Sequence, residues 1–405
     1  MGCERAVKFL SEKAKRLTPY TAGLQPREDG WIKLNTNENP YPPSPRVFEV
    51  LHNFDTSRLR LYPDMEATEL KEAIVADENL DKETTIAHVK NWCKTAVAEG
   101  KLSEKVLMAR VKELCGPLTD EDFLNVGNVF CANGNDEVLA LAFAAFFSGK
   151  ERVLSPDISY GFYPVWGEMF DVEMQFVSLG ADFSINPLNY VGGNGVVIAN
   201  PNAPTSLVLQ LADIEKILKQ NPDGVVLIDE TYMAYARAQS AVALVGRYEN
   251  LLVTRTFSKS RSLAGLRVGY AIGQPHLIDG LRRARDAFNS YPLDLVAQKC
   301  AAAAMSDREY FDETTAKVIA TREKTIASLQ EIGCNVLPSQ ANFIFMESSD
   351  APGLYEFLCQ NKILVRHWDN PRIKNFLRIS IGTDEEMGTL CRVIKQFREE
   401  SKCEK

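Results

Sequence analysis

The sequence contains no apolar run approaching the roughly 20 residues needed to cross a bilayer. Its opening, Met1-Gly2-Cys3-Glu4-Arg5, lacks the apolar core of a secretion signal. Neither a membrane protein nor a secreted one is expected, which leaves the cytoplasm. Myristoylation of Gly2 is not expected either, because Ala6 stands where that signal carries serine or threonine. Histidine occurs at only four scattered positions, which argues against a structural zinc site, and no metal is expected. The nine cysteines include no CxxC pair and run from Cys3 to Cys403; an odd, scattered set fits reduced thiols rather than a disulfide frame. Positive charge is short as well. With 46 lysines and arginines against 54 aspartates and glutamates, the net charge is −8, and no long basic stripe exists to displace counterions from nucleic acid. Cationic groups that matter must therefore be local. Internal repeats and low-complexity tracts are also missing.

What is present is an ordinary folding composition: 405 residues, 45% hydrophobic and 25% charged, enough for one large domain and a smaller one. Short apolar segments at Arg152-Val153-Leu154, Val196-Val197-Ile198-Ala199, Val225-Val226-Leu227-Ile228 and Leu251-Leu252-Val253 are separated by helix-length stretches. Among these stretches, Leu211 to Gln220 has helical spacing and makes a βαβ unit with its flanks. The series predicts an α/β fold with a mostly parallel sheet covered on both faces. Ligands of such sheets lie beyond the carboxyl ends of the strands. Each predicted strand ends in residues capable of chemistry: Ser155-Pro156-Asp157, Asn200-Pro201-Asn202, Asp229-Glu230-Thr231-Tyr232 and Thr256-Phe257-Ser258-Lys259. A boundary is expected in or after the helix around Leu281 to Ala287, giving an N-terminal segment (1–44), a large domain (45–285) and a smaller α/β domain (286–405). Pro40 to Pro45 cannot be helical on this reading and runs extended, packed with the small domain. From Asp81 to Thr119, Ile86, Val89, Trp92, Cys93 and Val97, then Val106, Leu107, Val111 and Leu114, recur at helical spacing. That stretch reads as a two-helix excursion with a structural or interface role.

Lys259 carries the chemical argument. A lysine partly desolvated beside Arg267 has its charged form disfavoured, which frees the lone pair for imine formation. The hydroxyls of Thr256 and Ser258, with the Arg267 guanidinium, make a phosphate site. Together they suit a phosphorylated aldehyde, pyridoxal 5′-phosphate. Asp229, at a buried strand end, could pair with a protonated pyridine nitrogen, or could cap the helix that follows. Tyr232 could reach the phenolic oxygen of the cofactor, and so could Asn202, which serves equally as a polar turn residue. The helix start at Asn133-Gly134-Asn135-Asp136-Glu137 could aim backbone amides at an anion, although plain capping explains it too. Tyr160 could lay its ring on the pyridine, while Tyr163 and Trp166 read as packing residues.

These residues resemble the lysine motif of the fold type I aminotransferases of classes I and II. Phe257-Ser258-Lys259 is followed by Gly265-Leu266-Arg267, with lysine and arginine eight positions apart. Leu34-Asn35-Thr36-Asn37-Glu38-Asn39-Pro40-Tyr41, Tyr62-Pro63-Asp64, Asn200-Pro201-Asn202-Ala203-Pro204-Thr205 and Leu377-Arg378-Ile379-Ser380-Ile381-Gly382-Thr383 look most like the histidinol-phosphate branch of that family. The likeness spans nearly the whole chain apart from the excursion. It implies Lys259 as the Schiff-base lysine, Asp229 as partner of the ring nitrogen, Tyr232 and Asn202 as donors to the phenolic oxygen and Tyr160 as the stacking ring. It implies a cofactor phosphate held by Asn135 and Asp136 at their helix start, by Ser258 and Arg267, and by Tyr62 from the other subunit of a homodimer. Arg378 would hold the substrate carboxylate through a bidentate pair, and Arg366, with Tyr41 or Asn289, the substrate's own phosphate. The implied reaction is a ping-pong transamination between an amino donor and a 2-oxo acid, in which Lys259 moves the donor's α-proton. Histidinol phosphate and 2-oxoglutarate are the implied pair, as in histidine biosynthesis. Ser206 and Thr231 depart from the pattern, standing where the family usually has glycine and often alanine, and each could alter the pocket. A threonine-phosphate decarboxylase, an aromatic aminotransferase and a non-catalytic binding protein of the same fold are the alternatives.

Overall fold

In a computed structural model of the chain, residues 9–21, 23–80 and 123–403 are described. The two-helix excursion expected between Asp81 and Thr119 lies outside them.

The first strand, β1 (Ile32–Lys33), belongs to the N-terminal segment. The next seven are β2 (Val129–Asn133), β3 (Val153–Pro156), β4 (Met174–Val177), β5 (Gly195–Ala199), β6 (Val225–Asp229), β7 (Leu251–Thr256) and β8 (Val268–Gly273). They form one sheet in the order β2-β8-β7-β6-β5-β3-β4. Only β8 runs against its neighbours. Successive residues of β5 to β7 divide between two cores: Val196, Ile198, Val226, Ile228, Leu251 and Val253 face one, and Val197, Ala199, Leu227 and Leu252 the other. With both faces apolar, these strands read as unbroken hydrophobic runs.

The first core is closed by the helices Leu211–Gln220 and Leu295–Met305, the second by Gly134–Ala142, Tyr163–Met169 and Pro275–Phe288. Within Leu211–Gln220, Ile214, Ile217 and Leu218 make an i, i+3, i+4 stripe that is fully buried, while Ala212, Lys216 and Lys219 face solvent. Burying those three side chains is worth about 2 kcal/mol each. The helix stops where Asn221 turns its side-chain amide back onto the Ile217 carbonyl at 2.8 Å.

The remaining strands are β9 (Asn335–Val336), β10 (Phe343–Glu347), β11 (Ile363–Leu364), β12 (Arg366–His367) and β13 (Phe376–Ser380). An antiparallel sheet in the order β12-β13-β10-β9 is backed by the helices Arg308–Glu331, Ala351–Gln360 and Asp384–Cys403 around a third core. β11 pairs in parallel with β1. Leu34 extends the join, its N–H donating to Leu364 O at 2.8 Å and its carbonyl accepting from the Ser380 N–H at 2.9 Å. The N-terminal segment is thereby laced into the second sheet.

Two local expectations need correction. Pro45 is not extended but opens the helix Pro45–His52, with Ser44 Oγ accepting from the Arg46 N–H at 3.1 Å. Proline fits that position because a first-turn N–H has no intrahelical acceptor to lose. Arg152 stands outside β3, with a left-handed φ of 57°. The helix opening at Gly134 finishes in a wider π turn, Phe143–Phe147.

Candidate active site

Parallel strands end together, so the residues that follow β5, β6 and β7 meet at one edge of the large sheet. They border a cavity of about 490 Å³ whose wall also takes residues from the N-terminal segment and from the second sheet. Asn135, Asp136, Tyr160, Asp229, Tyr232, Thr256, Ser258, Lys259, Arg267, Arg366 and Arg378 all line it.

Asp229 closes β6 and is buried. Its Oδ1 accepts from Asn135 Nδ2 at 3.0 Å, Thr231 Oγ1 at 2.7 Å and the Thr231 N–H at 3.1 Å, and its Oδ2 from Tyr163 Oη at 3.2 Å. Burial pushes the carboxyl pKa upward, and these donors oppose it. Tyr163 thus packs, as its apolar surroundings imply, and also supports the acid. Thr231 turns its hydroxyl onto Asp229.

Lys259 follows β7 and donates from Nζ to Thr36 O at 2.8 Å. Burial, aided by the nearby Arg378 charge, pushes the ammonium down to about 8, with Glu38 and Asp136 acting against the shift. Tyr232 accepts from Asn37 Nδ2 at 3.0 Å, and burial raises its phenol pKa. Tyr160 donates to Asp136 Oδ1 at 2.9 Å and meets Tyr163 edge-on, with ring centroids 5.6 Å apart; burial raises its pKa too.

At the other end, the Gly134–Ala142 helix begins without a side-chain cap from Asn133. Arg267, held at a φ of 52°, reaches over this turn, donating from Nη1 to Ser258 Oγ at 3.4 Å and from Nη2 to Asp136 Oδ2 at 3.3 Å. Thr256 Oγ1 accepts from the Ser258 N–H at 3.1 Å and so shapes the turn. Gly269 of β8 makes the close approach possible: a Cβ there would meet Asn135 N at 2.4 Å.

The second sheet contributes Arg378 from β13 and Arg366 from β12. Arg378 Nη2 donates to Asn35 O at 2.6 Å, its guanidinium lies 5.4 Å from the rings of both Phe343 and Trp368, and its Nε has no hydrogen-bond partner. Burial lowers its pKa. Arg366 donates to Thr21 O at 3.0 Å.

Three residues expected in the cavity, Asn202, Asn289 and Tyr41, do not line it, and Tyr62, expected from a partner subunit, stands outside it. Asn202 is buried, but its Nδ2 donates to Ile158 O at 2.9 Å and Thr205 Oγ1 at 3.0 Å. Tyr62 is exposed and stacked on Tyr291 with centroids 4.6 Å apart. Asn289 is exposed at the end of the Pro275–Phe288 helix, and Tyr41 lies beside Lys317. Ser206 sits behind the wall at a left-handed φ of 62°, its carbonyl accepting from the Gln340 N–H at 3.0 Å. In turn, Tyr20, Gln25, Asn35, Thr36, Asn37, Glu38 and Trp368 line the cavity without having been singled out as site residues. The signal available was the polar run Asn35-Thr36-Asn37-Glu38-Asn39 directly after the apolar Ile32 and Leu34. Among the described residues, no cluster of three histidine, cysteine or acidic side chains could hold a metal ion, and no helix is long and apolar enough to cross a membrane.

Residues 108–394 match the family described as aminotransferase class I and II. The chain is 45% identical over 397 residues to a histidinol-phosphate aminotransferase of Acinetobacter baumannii (strain SDF), covering 96% of this chain and 97% of that one. Among solved structures, the histidinol-phosphate aminotransferase from Sinorhizobium meliloti in complex with pyridoxal-5′-phosphate has a similar fold, with a TM-score of 0.72 at 19% identity over 90% of this chain and 91% of that one. So has the L-threonine-O-3-phosphate decarboxylase from Porphyromonas gingivalis, with a TM-score of 0.68 at 17% identity over 91% of this chain and 99% of that one. Fold alone does not separate the two reactions.

Proposed function

The chain belongs to the class I and II aminotransferase family, and from that premise we propose that it passes the amino group of histidinol phosphate to 2-oxoglutarate, giving imidazole acetol phosphate and glutamate in a ping-pong reaction. It is an enzyme, and its cofactor is pyridoxal 5′-phosphate. The cavity residues fit that group. Asp229 offers a buried anion to a protonated ring nitrogen, Lys259 an amine to an aldehyde, and the first turn of Gly134–Ala142 with Ser258 and Arg267 a set of donors to a phosphate. Two polar atoms here, Arg378 Nε and Asn135 Oδ1, are buried without a partner, which suits a wall that receives polar groups. Gly134 has a φ of 81°, and a Cβ there would meet Arg267 Nη2 at 2.6 Å. Bare backbone is what admits the guanidinium to the helix start.

When bound, the cofactor supplies an electrophilic aldehyde and a ring that withdraws electrons from the carbon being deprotonated. The protein supplies placement and charge. Lys259 Nζ, its proton loosened by burial, takes the proton from the donor's α-carbon. Asp229 keeps negative charge at the ring nitrogen, Tyr232 donates to the phenolic oxygen, and Tyr160 orients the ring, whereas Asn202 has both amide hydrogens engaged by Ile158 O and Thr205 Oγ1 and supplies no donor here. Arg378 receives the substrate carboxylate, which its planar fork can grip bidentately. Arg366, which unlike Tyr41 and Asn289 lines the cavity, takes the substrate's phosphate, and Tyr62 reaches in from the second subunit of a homodimer. The reading carries a cytoplasmic location and a division of the chain at residue 44.

The convergence of Lys259, Asp229 and Arg378 on one cavity carries this reading, and the 45% identity to a histidinol-phosphate enzyme supports the donor. Titrating the yellow holoenzyme with histidinol phosphate tests it: the cofactor's visible absorbance should give way to that of its amine form and return on adding 2-oxoglutarate. Carbon dioxide release from threonine phosphate without need of a keto acid, or far higher activity on phenylalanine or tyrosine, would replace the proposed substrate.

A further inference from the structure

Resting on the reading in which Asp229 pairs with the cofactor's ring nitrogen, we propose that the side chains of Asn135 and Thr231 are positioning residues, a clamp that fixes the Asp229 carboxylate in one rotamer and holds it ionised. Oδ1 of Asp229 accepts three hydrogen bonds, from Asn135 Nδ2, Thr231 Oγ1 and the Thr231 N–H, whereas Oδ2 accepts only the 3.2 Å contact from Tyr163. Asn135 Nδ2 also donates to Thr231 Oγ1 at 3.2 Å, so the two arms brace one another. Each Asn135 amide hydrogen has one acceptor, and the Thr231 hydroxyl hydrogen is left to point at Asp229. Oδ1 is therefore saturated, and Oδ2 is the oxygen with acceptor capacity to spare.

Donors aimed at a buried carboxylate favour its charged form, which burial alone would disfavour. The clamp also spans two elements. Thr231 lies two residues beyond the end of β6, and Asn135 lies in the first turn of the helix that follows β2. It therefore ties the acid to the same helix start that offers phosphate donors. A charged Asp229 keeps the ring nitrogen protonated, and a positive ring in turn weakens the hold of the Lys259 nitrogen on its own proton. The other charged groups around Lys259 are Arg378, Glu38, Asp136 and Arg267, and none of them changes in the variants below.

Thr231→Val keeps the shape and removes the hydroxyl, Asn135→Ala removes the other arm, Thr231→Ser restores the hydroxyl and Asp229→Asn is the reference. Titration of each cofactor-free protein with pyridoxal 5′-phosphate gives affinity, and a pH titration of the bound cofactor's absorbance gives the midpoint at which the Lys259 nitrogen loses its proton. Thr231→Val and Asn135→Ala should each weaken affinity about tenfold, the loss of one hydrogen bond to a charged group, and move the midpoint upward. Thr231→Ser should return both to the parent values. A purely structural role would move neither the midpoint nor its rescue by serine. Parent-like affinity and midpoint in both clamp variants, with both lost in Asp229→Asn, overturns the clamp and leaves the role of Asp229 standing. Should Asp229→Asn keep both, the role of Asp229 falls and the clamp with it. Circular dichroism identifies a variant that fails to fold, and the other arm then decides.

Discussion

Lys259 illustrates how a single side chain trades stability for reactivity. Its ammonium is held at about 8 in the folded protein against 10.5 for the free group. Between those values the unfolded chain carries the extra proton, so stability should climb with pH across that window, with the penalty fully present below pH 8. Lys259→Met should accordingly stabilise the cofactor-free protein at pH 7 by about 2 kcal/mol, with the gain fading by pH 10. The same substitution should cut turnover by at least about a thousandfold. Denaturant titrations at the two pH values check the first effect, and a stability gain equal at both would refute its cause. The residues at this scale that were readable in the sequence, Lys259, Asp229, Tyr232 and Arg267, are chemically distinctive types placed directly after apolar runs. Thr36 was not, because its contribution is a backbone carbonyl that any residue could offer.

At the scale of elements, the βαβ unit of β5, Leu211–Gln220 and β6 was legible because its strands are buried on both faces and its helix on one. β8 was hidden because two of its six residues, Gly269 and Gly273, dilute the apolar signal. β4 was hidden as an edge strand whose residues are only partly covered. Gly269 shows that such dilution has a cause, since β8 must lie against the start of Gly134–Ala142. Gly269→Ala should cost about 3 kcal/mol through forced displacement of that turn and weaken cofactor binding with it. Thermal melting and cofactor titration read the two effects, and an unchanged affinity would mean the turn is not part of the phosphate site.

Over the whole molecule, the cavity depends on how the second sheet is held against the first. Arg322, in the middle of Arg308–Glu331 and fully buried, donates from Nη1 to Tyr235 O at 3.0 Å and to Ala341 O at 2.9 Å. Tyr235 belongs to the turn after β6, and Ala341 to the approach to β10. Arg322→Leu removes the guanidinium from both buried carbonyls, leaving Ala341 O with only the 3.4 Å contact from Ser339 Oγ, and should destabilise the protein by about 3 kcal/mol. Urea denaturation would show it, and a cost below about 1 kcal/mol would count against this bridge between the sheets. Pairings of this reach escape a local reading of sequence: Asn37 meets Tyr232 across 195 positions and Ser380 across 343. Ile32 of β1 likewise finds Ile363 of β11. A ribosome making this chain releases residues 32–38 long before the strands that receive them exist, so the nascent N-terminus must wait for most of translation. The stretch of cavity wall formed by Asn35 to Glu38 is consequently completed only after β11 and β13 have been made.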